Sequence, residues 1–358
     1  MDVSNAWLVS LCGLALGIVA GAVTQRSRLC SFGAIEDAAV AGDTRRLRVF
    51  GLALGVAVLF TQLLIVAGYL QPANTTYVAS ALPWIGLIAG GLMFGLGMAL
   101  VGTCSFGSLV RLGSGDLRSL VVIIVFAATA LTVLRGVFVD IRLGIFEAWP
   151  LRFGAKTQSD LPSVLAHTSN TNLRLALSLA IGVALIALAF MHPKLRKSPR
   201  LLIAGIALGL CVGLGWLATA TLIDEFAAPQ RPQSLTFVAP VARLLYGALL
   251  SPSTLIEFGV WNVIGVICGS WISARMAKEF RWEAFDDQHE MRRHLGGAAL
   301  MGVGGILAGG CTIGQGLTAG SLLALSWPLA VAGMIIGARL GIAVLFEGSF
   351  RGVVRRFF

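Results

Sequence analysis

The sequence predicts an all-α integral membrane protein with about nine transmembrane helices, short re-entrant helices and two inverted pseudo-repeats. Three observations carry that prediction. Only 12% of the 358 residues are charged and 57% are hydrophobic, whereas soluble domains carry roughly 25% charged residues. Apolar runs of spanning length recur from one end of the chain to the other, giving a mean hydropathy of +0.86. A glycine-rich unit that ends in cysteine also returns along the chain. Together these exclude a water-soluble enzyme and leave no length for a sizeable soluble domain, so function has to lie within the bilayer.

A crossing needs about 20 apolar residues. In order, the runs that meet this need lie at about 6–23, 49–70, 82–101, 119–139, 173–191, 201–222, 254–274, 295–310 and 328–347. The opening residues carry no positive region and no small-residue cleavage site follows, so the first helix is expected to stay in the mature protein.

A net charge of +10 would suit nucleic acid if it formed one patch. Instead the basic residues cluster in short loops, the pattern that orients membrane proteins, and no nucleic-acid partner is expected. With the N-terminus outside, the cytoplasmic segments hold Arg45, Arg46 and Arg48; Arg111 and Arg118; Lys194, Arg196, Lys197 and Arg200; Arg275, Lys278, Arg281, Arg292 and Arg293; and Arg351, Arg355 and Arg356. The expected topology is N-out and C-in. The stretch 140–174, with Arg142, Arg152, Lys156 and Arg174, is an exception to it.

The tetrapeptide Cys-Ser-Phe-Gly occurs at Cys30 to Gly33 and at Cys104 to Gly107, with a relative in Cys311-Thr312-Ile313-Gly314. Each of these cysteines has a glycine nine residues before it, at Gly21, Gly95 and Gly302. A degenerate fourth copy keeps Gly205, Gly209 and Gly213, matching Gly13, Gly17 and Gly21, but has Leu222 where the cysteine would stand. Spans one and six are five crossings apart, as are spans three and eight, so related units run in opposite directions. The expected architecture is a single transmembrane transporter domain over 1–358, with inverted halves at about 1–172 and 201–358 and a linking helix at about 173–191. The segments after the cysteines, 31–42, 105–115 and 312–324, are too short and polar to cross. They read as re-entrant half-helices, which the bilayer allows only where they are buried in protein or line a cavity. Much of the glycine serves close helix packing.

The six cysteines fall into two groups. Cys12, Cys211 and Cys268 lie inside uninterrupted apolar helices, where a free thiol behaves as a small hydrophobe. Cys30, Cys104 and Cys311 each follow a helix break and precede Ser or Thr, residues suited to capping the next short helix. No Cys-x-x-Cys occurs, and His167, His192, His289 and His294 fall in predicted loops. Metal sites therefore lack their usual ligands, and no metal, cofactor or catalytic residue is expected. A disulfide between two of the cysteines stays open.

Each motif thiol stands at the start of a short helix, where free N–H groups and the macrodipole favour an anion. Arg28, with Arg26, precedes Cys30, and Arg111 follows Cys104; both positions equally fit a topological role. Ser105, Thr312 and Gln315, and more weakly Ser108 and Thr318, are further candidate donors. Glu36 and Asp37 are expected to pair with an arginine, since a lone intramembrane carboxylate is costly. A polarizable thiol suits an anion presenting soft sulfur or selenium better than phosphate or sulfate, and several weak sites release a substrate more readily than one deep clamp. The same thiols also fit a membrane thiol oxidoreductase or sulfurtransferase in which a cysteine becomes persulfidated; the inverted halves favour transport.

At these motifs the sequence resembles the YeeE/YedE family of bacterial inner-membrane transporters for thiosulfate and related sulfur compounds. The matching stretches are Gln25 to Cys30, Gly95 through Cys104, and Gly309 to Gly314, and the likeness covers nearly the whole chain. The resemblance implies a compact helical protein in which Cys30, Cys104 and Cys311 contact thiosulfate in succession during uptake. It also implies a small cytoplasmic sulfur-carrier protein as a partner, and selenium compounds as alternative cargo. The second motif departs from the family pattern: Gly102-Thr103 precedes Cys104 and Ser105-Phe106 follows it, where family members have Gly-Gly and smaller residues. Phe106 is the residue that would narrow the path.

Overall fold

The computed structural model describes residues 3–78, 81–152, 159–166, 171–222 and 231–347. Lys156, His167, Arg351, Arg355 and Arg356 lie outside the described residues. The longer helices are α1 (Val3–Ser27), α2 (Ser31–Glu36), α3 (Arg45–Val66), α4 (Trp84–Val101), α5 (Ser105–Gly113) and α6 (Leu117–Arg135), followed by α7 (Thr171–Phe190), α8 (Pro199–Leu222), α9 (Ala239–Leu249), α10 (Phe258–Met276), α11 (Gln288–Leu307) and α12 (Ser326–Glu347). A short antiparallel pair, β1 (Ala81–Leu82) and β2 (Leu151–Arg152), joins two loops.

The chain is an all-α membrane protein. A long helix stands at each of the expected runs, but six stretches among the described residues are both long and apolar enough to cross: Asn5–Ala41, Arg45–Val66, Trp84–Gly113, Leu117–Arg135, Pro199–Leu222 and Ser326–Phe346. The count of nine crossings is therefore not established.

Several ends also differ from expectation. Helix α3 stops at Val66 rather than near 70, because Gly68 takes a left-handed conformation (φ +80°) that closes the last turn. The seventh run starts later, at Phe258, after Pro252–Leu255 forms a 3-10 turn. Helix α11 begins at Gln288, well before 295, so His289 and His294 are helical rather than in a loop. Arg118 makes that early start tolerable: it pairs with Glu290 at 3.4 Å, Glu283 at 2.6 Å and Asp116 at 3.1 Å.

Helix packing follows the glycines. On α1, Gly13, Gly17 and Gly21 lie against Phe258, Asn262 and Val266 of α10 in ascending order, so the two helices run in the same direction. A β-carbon on Gly17 would stand 3.0 Å from Cα of Gly265. In the same way Gly205, Gly209 and Gly213 of α8 meet Val49, Ala53 and Phe60 of α3. Gly91 and Gly95 of α4 meet Ala330 and Met334 of α12, and Gly302 of α11 meets Phe126 and Ala130 of α6. Helices α4 and α11 oppose each other, Gly90 lying on Leu307 and Gly97 on Gly297. Lipid tails are as apolar as leucine, so these close approaches, rather than water exclusion, hold the helices together.

The charge exception at 140–174 has a local cause. Arg174 donates to Asp160 at 2.7 Å and to Gln62 at 3.2 Å, and Arg142 pairs with Glu147 at 3.3 Å. Two of its cations are thus neutralised in place.

Candidate functional site

The three cysteine motifs meet. Cys30 and Cys104 occupy the positions that cap α2 and α5. At α5 the sulfur itself accepts the Gly107 N–H at 3.3 Å, and Cys311 likewise accepts the Gly314 N–H at 3.4 Å before a wide helical turn, Gly314–Ala319. The cap position expected of the following Ser or Thr is therefore held by cysteine, whose sulfur makes the capping bond at Cys104 but not at Cys30: Ser31 and Ser105 are the first helical residues, one position too late to cap. Thr103 joins the first two motifs, its Oγ1 lying 3.5 Å from the Cys30 sulfur. Gly107, whose N–H caps onto Cys104, lies against the Cys30 sulfur, which a β-carbon there would meet at 3.4 Å. Ser31 and Thr312 share a hydrogen bond of 2.8 Å, which joins the first motif to the third. All six cysteines are free thiols; Cys104 and Cys311 are buried and Cys30 is partly exposed.

Cavities open on both sides of this meeting point. One, of about 570 Å³, is lined by Arg135, Arg142, Arg231 and Arg243, with Tyr77 and Thr236, and it reaches Gly309 and Gly310 immediately before Cys311. Glu257 also lines it and pairs with Arg243, and Arg142 pairs with Glu147, so the lining carries four guanidinium groups of which these two have carboxylate partners. The other, of about 280 Å³, is lined by Phe32, Glu36, Gly102 and Arg293. Phe32 follows Cys30 by two residues and Gly102 precedes Cys104 by two. Helix α11 borders both cavities, through Gly305 in the first and Arg293 in the second. At 1.5 Å rise per residue those positions are about 18 Å apart along its axis. The motifs thus form a partition between two openings at opposite ends of α11, bordering one at Gly309 and Gly310 and the other at Phe32 and Gly102.

Several polar atoms in the partition are unpartnered. The buried hydroxyls of Ser105 and Ser108 and Oε1 of Gln315 have no hydrogen bond, a state that costs about 1–3 kcal/mol per group. Gln315 turns its amide nitrogen to the Ala308 carbonyl at 2.8 Å, so it offers the site an acceptor. Phe106 packs against Phe237 with ring centroids 4.7 Å apart; Thr236 and Val238, which flank Phe237, line the larger cavity.

The arginines named from sequence behave differently. Arg28, in a left-handed turn (φ +51°), reaches away from the thiols to Glu279 at 3.0 Å and is exposed. Arg111 donates to the Gly102 carbonyl at 3.2 Å. Asp37 pairs with Arg46 at 3.1 Å, while Glu36 faces the smaller cavity with Arg293.

A family described as sulphur transport matches residues 26–340. The chain belongs to this sulphur-transport family. The match takes in all three cysteine motifs except the residue before Arg26 and agrees with the YeeE/YedE resemblance. The chain is also similar to the thiosulfate transporter TsuA of Escherichia coli K12, with 31% identity over 91% of this chain and 92% of that protein. It is 28% identical to the thiosulfate transporter TsuA of Spirochaeta thermophila, over 91% of this chain and 96% of that one.

Sequence reasoning missed part of this candidate site. Arg135 ends α6, Arg231 lies in a loop and Arg243 lies within α9, with no shared spacing to betray a common cavity. Arg142 carried a signal, as one of the cations that broke the orienting pattern. Thr103 did too, as a departure from the family motif.

Proposed function

We propose that the protein takes up thiosulfate, or a closely related small sulfur anion, across the bacterial inner membrane. The anion collects in the arginine-lined vestibule, where a predominantly positive field raises its local concentration. It then passes Cys311, Cys30 and Cys104 by weak hydrogen bonds and leaves through the cavity at Glu36 and Arg293. In this reading the vestibule is external, the N-terminus is outside and the C-terminus is cytoplasmic. Ser105, Thr312 and Arg111 assist along the path, and Gln315 does so if its amide turns. Arg28 plays a supporting part in holding the first turn to Glu279.

The observation that carries the proposal is the convergence of three cysteine turns into the partition between two cavities, in a chain of a sulphur-transport family. A thiol donates weakly, so no single station holds a dianion deeply and each can release it. The inverted halves support transport further: exchanging α1 with α8, α3 with α10, α4 with α11 and α6 with α12 maps each parallel helix pair onto another. A small cytoplasmic sulfur-carrier protein is the proposed recipient of the anion. Expression should restore growth of cells that lack other uptake routes when thiosulfate is the sole sulfur source. Failure of Cys311→Ala to reduce that growth, with protein present, would remove the relay.

A further inference from the structure

We propose that the groove where α1, α8 and α10 come together holds an anionic phospholipid. Arg26, at the end of α1, and Arg200, at the start of α8, line one surface pocket of about 350 Å³ with Ile203, Ile272, Ser273 and Met276. The two guanidinium groups come from different helices and stand at the level where those helices end, which is headgroup depth for a spanning helix. Neither takes part in an ion pair among the described residues. Glu279, whose carboxylate feels the Arg26 charge, is bonded instead to Arg28 and to Gln25 at 3.1 Å.

The rest of the groove suits an acyl chain. Ile203, Ile272 and Met276 are 60%, 41% and 73% exposed and continue the lipid-facing surface of the bundle. The polar group in its floor is already satisfied, since Ser273 donates within hydrogen-bond distance of the Ala22 carbonyl and Gln25 Oε1. On the same helix Trp271 is exposed and lies 5.8 Å from the Arg275 guanidinium, an arrangement typical of the membrane interface. A phosphodiester between Arg26 and Arg200, with its tail over the three apolar side chains, matches both the charge and the shape; basic pockets between membrane helices bind anionic headgroups in this way. The lipid would clamp the end of α1 four residues before Cys30.

The test is native mass spectrometry of the purified protein in mixed micelles of phosphatidylglycerol and phosphatidylcholine. The wild type should retain phosphatidylglycerol selectively. Each arginine near an anionic headgroup contributes about fivefold in affinity, so Arg26→Gln with Arg200→Gln should lose about thirtyfold. Arg196→Gln with Lys197→Gln, on the adjacent loop, should lose little. Equal loss in both double variants would mean diffuse surface charge, and displacement of the lipid by millimolar inorganic phosphate would mean a plain anion site; either overturns the proposal, as does retention without headgroup selectivity. If the first double variant does not fold, Arg200→Gln alone should still lose about fivefold, and no loss there is equally fatal.

Discussion

Ser31 and Thr312 are 281 positions apart in the chain and share a hydrogen bond of 2.8 Å. That bond ties the turn after α1 to the turn after α11, and with them Cys30 and Cys311. A hydrogen bond between membrane helices contributes about 0.6 kcal/mol on average, too little to decide whether the protein folds. Its weight lies in alignment.

Thr312→Val keeps the shape and removes the hydroxyl. Protein yield and unfolding temperature should change little, while the initial rate of thiosulfate uptake into proteoliposomes falls severalfold. Thr312→Ser should restore most of the rate. A rate unchanged by the valine would show that the two turns do not need this link.

Phe106 and Phe237 pack together between the cysteine turns and the wall of the vestibule. Replacing Phe106 by Ala opens that gap by most of a side chain. Discrimination between thiosulfate and sulfate in competition uptake should fall by about tenfold or more, the size of effect that a few side-chain atoms produce in a pocket. A variant that transports as selectively as the parent would place Phe106 in packing alone.

Close approach of α1 and α10 leaves no room at Gly265, where a β-carbon would lie 3.0 Å from Cα of Gly17. Gly265→Leu should lower stability by at least about 1–3 kcal/mol, the usual range for overpacking. Thermal unfolding in detergent would register the loss, and an unshifted curve would mean that the helices can separate freely.

Asp43, in the loop between α2 and α3, is held down from an ordinary 3.8 to about 2 by hydrogen bonds from Arg45. A carboxyl depressed in the folded state adds stability above its unfolded value and loses it as pH falls through the folded one. The stability difference between wild type and Asp43→Asn should thus be constant from neutral pH down to about 4, then close between about 4 and 2. The side chain is half-buried at the surface with solvent screening its pair, so the difference is small, and a gap that instead grew with acid would reverse the assignment.

Much of this molecule is legible in its sequence because glycine spacing and cysteine position are local signals. Gly21, Gly95 and Gly302 stand nine residues before their cysteines, and each proves to lie on a neighbouring helix. The short segments after Cys30 and Cys104 fold as the brief helices their length implies. Arg28 shows the opposite case. Its neighbourhood to Cys30 in sequence implied a shared site, yet a left-handed turn points it toward Glu279, a partner that only the folded chain brings near. The vestibule was hidden for the same reason: Arg135, Arg231 and Arg243 converge through tertiary packing, and no periodicity in the chain encodes that.

The most direct measurement is the uptake of radiolabelled thiosulfate into proteoliposomes by the wild type and by Cys30→Ala, Cys104→Ala and Cys311→Ala, with intact mass recorded after each assay. The account predicts uptake by the wild type with unmodified thiols, and loss of most transport in each variant while its fold persists. Wild-type rates in all three variants, or a stoichiometric persulfide on the parent protein, would contradict it.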